Sequence, residues 1–237
     1  MVNYEESIRK PFTDFGKLVV GIILSIIPIV NWIAQGFIIE TSGLGKNKPS
    51  KNMPEWKNIG DYFVKGFSSY VIIFIYAIPA MLVLSLSIGY IVASFMSVFT
   101  GVLPSGLVSS LVAGQVTREE LRLLITQNWM TLLPIIIRAF PLILLGLFLL
   151  LIASYLSPIA IINYLKNKKF GKAFDLNVVI KKSFNGQYFI TWIVVGLIAF
   201  VLKSVLDIIP FVGPAIAFFI SGIIAYSLFG QVYREVK

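Results

Sequence analysis

Few side chains in this sequence could do chemistry, and the carboxylates are the first to consider. A catalytic site needs a converging acid, base or nucleophile, so an enzyme acting on lipid headgroups would have to bring Glu40, Asp61 and Asp175 together at one membrane surface. We find no motif that does so. The chain also has no cysteine and no histidine, which excludes disulfides, thiolate or imidazole metal ligands and histidine-based triads. We therefore predict a protein that is not an enzyme and has no cofactor and no metal site.

Three amide side chains lie within or beside apolar segments, where polar groups are costly. These are Asn31, Gln35 and Asn163, and we identify them as candidates for a polar cavity. Two interpretations of Asn31 remain open. It lines such a cavity, or it hydrogen-bonds to the backbone that Pro28 frees, because a proline removes a helical hydrogen bond.

The elements that position these side chains are predicted to be membrane helices. Of the 237 residues, 57% are hydrophobic and only 13% are charged, which is about half the charged fraction of soluble domains. Such a chain cannot hide its apolar surface from water, so the bilayer is its solvent. We predict an all-α integral membrane protein, a helical bundle with four full spans in two hairpins and an N-terminal re-entrant or fifth helix.

The predicted segments follow from the uncharged runs and from the pattern of the residues between them. In chain order they are an interfacial helix at 1–15, a re-entrant or spanning segment at 16–40, an interfacial helix at 54–68, a span at 66–97, an outer connection at 98–130, a span at 131–165, an interfacial helix at 170–184, and spans at 185–206 and 208–233.

Two apolar segments contain nearly the same proline motif, IIPIVN at 26–31 and IIPFVG at 208–213. Proline breaks a helix and disfavours helix in the residue before it, so both motifs predict a turn between antiparallel helices. At the N-terminus this gives two half-helices, at about 16–27 and 31–40, that enter and leave the membrane on the same side. A single kinked span is the alternative, because neighbouring helices can satisfy a freed carbonyl.

The positions of the lysines predict the orientation, because cytoplasmic loops carry an excess of Lys and Arg. Segment 41–65 holds five lysines and segment 166–182 holds six. Two hairpins of spans place both lysine-rich loops and the C-terminus in the cytoplasm. The protein is therefore expected in the cytoplasmic membrane.

Each lysine-rich stretch also carries aromatic residues at helical spacing, a pattern typical of helices that lie at the membrane interface. Two interpretations remain open: the lysines bind anionic lipid, or they only enforce the topology. Nucleic-acid binding is excluded, because the charge is spread over juxtamembrane loops and forms no single groove. The residues predicted to face lipid or the interface are Trp56, Lys57, Phe63, Lys65, Phe67, Lys168, Lys169, Lys172 and Phe174.

Small residues recur every four positions in two of the spans. Such stripes let helix backbones approach closely. The two stripes pack against each other within one chain, or one of them is the face of a homo-oligomer. Their residues are Ser85, Gly89, Ala93 and Ser97 in one span, and Gly213, Ala217, Ser221 and Ala225 in the other.

Three motifs resemble those of a known family. The opening PFTDFGKLVVGIILSIIPIVN, the surface segment MPEWKNIGDYF and the stretch INYLKNKKFGKAFD are similar to the prokaryotic, largely archaeal, multi-pass membrane family catalogued as domain of unknown function 4013. Met53 stands where that family usually has leucine. The resemblance implies a cytoplasmic-membrane protein and brings no assigned activity with it.

From these patterns we predict a non-enzymatic multi-pass protein that organises or contacts lipids or partner proteins at the cytoplasmic face. The expected partners are membrane lipids, anionic ones among them, and a second copy of the chain. The alternative function is a small transporter or channel, with the proline-broken N-terminal segment at its substrate site.

Overall fold

The computed structural model describes residues 2–45, 51–102, 113–114, 117–127 and 129–236, which form helices and contain no strand. In chain order the helices are α1 (Tyr4–Arg9), a 3₁₀ turn (Lys10–Phe12), α2 (Phe15–Ile26), α3 (Asn31–Glu40), α4 (Ile59–Val102), α5 (Arg118–Gln127), α6 (Trp129–Asn167), a second 3₁₀ turn (Phe170–Phe174), α7 (Leu176–Ser183), α8 (Gly186–Leu206) and α9 (Val212–Glu235).

Four of these helices are long and apolar enough to cross a membrane. The candidate spans are Ile59–Val98, Leu133–Asn167, Gly186–Leu206 and Val212–Glu235. Their outer faces carry large exposed apolar side chains, for example Leu197 and Phe200 of α8, which are 61% and 70% exposed. A soluble protein would not leave such faces in water. The predicted all-helical membrane fold with four spans is therefore confirmed.

The described residues form two compact units, one made of Met1–Tyr76 with Ala153–Lys237 and the other of Ala77–Ile152. In the first unit α9 is the central helix, packed against α1, α2, α3 and α8. Its side chains Phe219, Ile223 and Leu228 are fully buried in the hydrophobic core. In the second unit Leu84 of α4 lies against Gly146 of α6.

The first proline motif separates α2 from α3. Ile27, before Pro28, is extended, and Ile29 has a positive φ of 69°. The chain then reverses. Lys10 Nζ, just before α2, donates to the Thr41 carbonyl, just after α3, over 2.9 Å, which shows that the two outer ends of these helices lie together. The predicted half-helices therefore exist as a helical hairpin. Its entry into a membrane from one side stays a prediction.

The second proline motif forms the tight corner between α8 and α9. Phe211 has a positive φ of 63°, and a Cβ added at Gly213 would collide with the carbonyl oxygen of Leu206. The far ends of the same two helices meet where Gln187 Nε2 donates to Glu235 over 2.7 Å. The two helices are therefore an antiparallel hairpin, as the motif predicts.

The helix boundaries differ from the predicted segments in several places. The interfacial helix expected at 1–15 is instead the short helix α1 followed by a 3₁₀ turn. The interfacial helix expected at 54–68 begins only at Ile59 and continues into the span expected at 66–97 as one helix, α4, because no helix-breaking residue separates them. The helix expected at 170–184 is instead a 3₁₀ turn and α7, since Asp175 between them is not helical. The span expected at 131–165 begins at Trp129. Much of the connection at 98–130 lies outside the described residues.

A close helix crossing in the first unit joins α3 to α4 through two glycines. A Cβ added at Gly36 would collide with the carbonyl oxygen of Tyr62, and one at Gly66 would collide with that of Trp32. Backbone atoms cannot move aside as a flexible side chain can, so only glycine permits this approach.

We expect Gly66→Ala to destabilise the protein by about 2 kcal/mol, because overpacking at a tight contact typically costs 1–3 kcal/mol. The measurement is thermal unfolding in detergent. The control is Gly89→Ala in the same helix, where an added Cβ meets nothing within 4 Å and stability should not fall. Equal stabilities of the two variants would contradict the glycine crossing.

Candidate functional site

Both ends of the chain and both lysine-rich segments meet at one end of the first unit. The Asn3 backbone N–H donates to Gln231 Oε1 over 2.7 Å, near the C-terminus. Lys182 Nζ donates to the carbonyl oxygens of Tyr233 and Val236. We name this region the basic end and define it as residues 2–14, 41–45, 51–58, 163–185 and 231–236. Lys46 and Lys48, of the first lysine-rich segment, lie outside the described residues.

A buried ion-pair cluster lies beside the basic end, where α3 ends and α4 begins. Lys65 Nζ pairs with the carboxylate of Glu40 and, at 2.7 Å, with that of Asp61. The Glu40 side chain is 0% exposed, and Lys65 is 11% exposed. Breaking a buried pair by removing one partner leaves an uncompensated charge in a low-dielectric site. The cluster therefore fixes α3 to α4 through charge as well as through the glycine crossing.

A second buried lysine, Lys10, ties the N-terminus to the end of α3. Burial lowers the pKa of Lys10 to about 8. The negative charge of Glu6 raises this pKa by a smaller amount, and the positive charge of Arg234 lowers it further. Arg234 itself donates to the Ser42 carbonyl over 2.8 Å. Two basic side chains therefore satisfy carbonyl groups just after α3, where a helix end leaves acceptors unpaired.

Asn163 joins three elements of the basic end. Its Nδ2 donates to the Lys172 carbonyl over 2.6 Å, and its Oδ1 accepts from the Tyr233 hydroxyl at 2.8 Å and from Asn167 at 2.9 Å. The side chain is 2% exposed. Asn163 therefore positions the second lysine-rich segment, and its polar atoms are used within the chain.

A cavity of about 190 Å³ opens between the loop after α3, the start of α4 and the end of α6. One wall is formed by two members of the ion-pair cluster, Asp61 and Lys65. The opposite wall ends at Lys168, which has a positive φ of 53°. The cavity is lined by Gly45, Asp61, Val64, Lys65, Tyr164, Leu165 and Lys168.

The predicted interfacial residues divide into two groups. Five are exposed: Lys57, Phe67, Lys168, Lys169 and Lys172.

The other four have partners within the chain. Lys65 is buried in the ion-pair cluster. The Trp56 ring stacks on Phe37 with centroids 3.9 Å apart. Phe63 packs against Trp32, and Phe174 stacks on Tyr76. Helical spacing identifies an apolar stripe, but it does not distinguish a stripe that faces lipid from one that faces another helix.

The three amides do not share a cavity. Asn31 is the first residue of α3, and its Oδ1 is buried with no hydrogen-bond partner among the described residues. Gln35 is buried and hydrogen-bonds Tyr226. Asn163 lies at the basic end, beyond the opposite end of α3. Of these three amides, only Asn31 has a buried polar atom without a partner among the described residues.

The three carboxylates do not converge either. Glu40 and Asp61 share Lys65, whereas Asp175 pairs with Lys172 over 3.1 Å. In the part of the chain that the structure describes, no three acidic residues form a group that could hold a metal ion.

The two small-residue stripes have different environments. In α9, Gly213, Ala217 and Ala225 are buried and Ser221 is half-buried. In α4, Ser85, Gly89, Ala93 and Ser97 are all exposed. Among the described residues the α4 stripe is therefore not buried against another helix, and its role in a homo-oligomer stays a prediction.

The residues that sequence reasoning missed are Lys10 and Arg234, which donate to the carbonyls after α3, and the glycine pair Gly36 and Gly66. Lys10 lies in a charged N-terminal segment, and its sequence context does not distinguish it from lysines that only set the membrane topology. The glycines, in two different helices, form no stripe. No local signal in the sequence identifies any of the four.

We expect Lys65→Met to destabilise the protein by about 3–5 kcal/mol, because it leaves the Glu40 carboxylate buried without its lysine. The double variant Glu40→Gln/Lys65→Met should recover part of this loss. The control is Lys203→Met, which breaks an exposed pair with Asp207 and should change stability by at most about 1 kcal/mol. Similar unfolding temperatures for Lys65→Met and Lys203→Met in detergent would show that the cluster is not structural.

Comparison with curated proteins and with solved structures found no match. The sequence does match the family described as a protein of unknown function, DUF4013, over residues 20–226. That range contains α3 through α8, most of α2 and of α9, the whole ion-pair cluster and the cavity. It also contains two of the three motifs that carry the resemblance, and the end of the first. The chain belongs to the DUF4013 family.

Proposed function

We propose that this multi-pass membrane protein is not an enzyme, and that its basic end binds anionic lipid of the cytoplasmic leaflet. Positively charged loops are retained in the cytoplasm, and near a charged leaflet each lysine contributes about 1 kcal/mol.

The observation that carries the proposal is the surface of α7. Leu176, Ile180 and Phe184, four positions apart, are 53%, 44% and 75% exposed. On the adjacent face, towards the core, Val179 and Ser183 are buried. A short helix with one face in the protein core and one exposed apolar face is suited to lie in the headgroup region, with its apolar side chains in the acyl boundary.

Exposed lysines flank this apolar face. Lys169 and Lys172 precede α7, and Lys181 lies within it. Near the N-terminus Phe12 and Phe15 are also exposed, by 59% and 76%. Exposed aromatic rings beside lysines are typical of a membrane interface. The same surface can therefore combine apolar insertion with attraction to anionic headgroups.

One observation favours the alternative of a small transporter or channel. The α2–α3 hairpin resembles the broken helices that transporters use at substrate sites, and the unpaired Oδ1 of Asn31 lies at its turn. Lipid binding remains the preferred function because Gln35 and Asn163, the other two candidates for a polar cavity, have partners within the chain.

The first test is the side of the membrane on which each region lies. Because the chain has no cysteine, single substitutions report position directly. We expect Glu5→Cys and Lys169→Cys to react with an impermeant maleimide from one side of a sealed vesicle, and Ile208→Cys, at the α8–α9 corner, from the other.

Reaction of Glu5→Cys and Lys169→Cys from opposite sides would mean that residues 16–40 cross the membrane once. It would disprove the proposal that the N-terminus and the second lysine-rich segment lie on the same side. Adding Asn31→Cys tests the alternative function. Its rapid reaction with a small hydrophilic reagent would show a water-filled path to the turn and would favour the transporter.

The second test measures lipid preference. In nanodiscs of phosphatidylcholine and phosphatidylglycerol in equal parts, we expect the lipid that co-purifies with the protein to be enriched in phosphatidylglycerol. Lys169→Gln/Lys181→Gln should reduce this enrichment several-fold, since each lysine contributes about 1 kcal/mol, and added salt should weaken it further. Mass spectrometry of the extracted lipid gives the ratio.

The matched control is Lys203→Gln, which removes a charge at the opposite end of α8. An equal reduction in that variant, or no enrichment in the unmodified protein, would mean that the lysines only set the topology.

A further inference from the structure

We propose that the cavity beside the ion-pair cluster holds the headgroup of one phospholipid that carries both a phosphate and a primary amine, as phosphatidylethanolamine does. This proposal rests on the membrane placement proposed above, but not on the binding of anionic lipid by α7. The proposal concerns one defined cavity and does not depend on the positive charge of the protein surface.

The charges around the cavity suit a ligand that is itself a dipolar ion. Lys168 supplies an exposed ammonium group on one wall, and Asp61, whose side chain is 27% exposed, supplies a carboxylate on the other. A headgroup with phosphate alone would bring its negative charge near Asp61. A phosphate that pairs with Lys168, with an amine that joins Lys65 at the Asp61 carboxylate, complements both walls.

Two further features favour an amine within the cavity. The cavity lies at the C-terminal end of α6, where the helix dipole places partial negative charge that stabilises cations. Tyr164 also lines the cavity, and an aromatic ring attracts an ammonium group through its face. An amine would therefore be attracted by three independent groups.

The backbone at Lys168 is consistent with a functional position. Lys168 follows the last residue of α6 and has a positive φ of 53°, the left-handed conformation in which helices commonly end with glycine. A residue with a Cβ is sterically disfavoured there. Glycine would avoid this cost, but it would remove the only lysine on the α6 wall of the cavity among the described residues.

An apolar path for the acyl chains begins at the same place. Val64 lines the cavity and is 57% exposed. Phe67 and Phe74 continue along the same side of α4, one and three turns further on, and are 45% and 55% exposed. A lipid with its headgroup in the cavity would lay its chains on this stripe. This continuity favours a lipid over a soluble phosphate ester.

The test is native mass spectrometry of the delipidated full-length protein with one added lipid at a time. We expect phosphatidylethanolamine to be retained about tenfold better than phosphatidylcholine, whose quaternary ammonium cannot donate a hydrogen bond to Asp61, or phosphatidylglycerol, which has no amine. One charge-assisted contact is sufficient for that ratio.

The variants separate the two walls of the cavity. Lys168→Gln should lower retention of every phospholipid about tenfold, whereas Asp61→Asn should remove the preference for the ethanolamine headgroup and leave retention otherwise unchanged. The control is Lys203→Gln, an exposed lysine at the opposite end of α8 and outside the basic end, which should have no effect on this retention. If Asp61→Asn does not fold, Lys168→Gln alone decides, because its exposed side chain is not required for folding.

Equal retention of all three lipids, or equal behaviour of Lys168→Gln and Lys203→Gln, would overturn the proposal. Soluble phosphoethanolamine that displaces phosphatidylethanolamine at equal concentration would also overturn it, because the acyl chains would then contribute nothing. The anionic-lipid proposal fails separately, since its variants change phosphatidylglycerol enrichment in nanodiscs and not the retention of one bound lipid.

Discussion

The reversal of the chain at Pro28 is the constraint on which the arrangement of the basic end depends. With 12 and 10 residues, α2 and α3 are about 18 Å and 15 Å long at 1.5 Å per residue, well short of the roughly 30 Å of a bilayer's hydrocarbon. Because the chain returns after so short a distance, the N-terminus and the loop after α3 lie at the same end. The Lys10–Thr41 hydrogen bond closes this hairpin.

The polar groups of the basic end compensate for the burial of the end of α3 in the hairpin. The end of α3 is buried against α9 and α4, so its last carbonyl groups and the Glu40 carboxylate are removed from water. Lys10, Arg234 and Lys65 satisfy them from three different parts of the chain. Each of these side chains is expensive to bury alone, and together they form a network that specifies one packing of the helices.

The sequence predicts the fold class and the four spans because composition and length determine them directly. It also predicts the two proline turns, since Pro28 and Pro210 act on their own neighbours and need no tertiary information. The family resemblance is confirmed as well. These features depend on local properties of the chain.

The site is less predictable because it depends on residues distant in sequence. Nothing near Lys65 in the sequence indicates that its partner is Glu40, 25 positions earlier. The sequence around Lys65 is the same as that expected for any juxtamembrane lysine. For the same reason the sequence predicts that Trp56 is an interfacial anchor, although its ring stacks on Phe37 in the core. The glycine crossing of α3 and α4 involves one glycine from each helix and so leaves no repeat to detect.

The hairpin also has a consequence for the membrane itself. In the proposed placement α2 and α3 occupy area in the leaflet next to the basic end and none in the opposite leaflet, whereas the four long helices occupy both. Within the first unit, α2 and α3 therefore displace the lipid of one leaflet only, and the lipid of the opposite leaflet remains beyond the turn at Pro28.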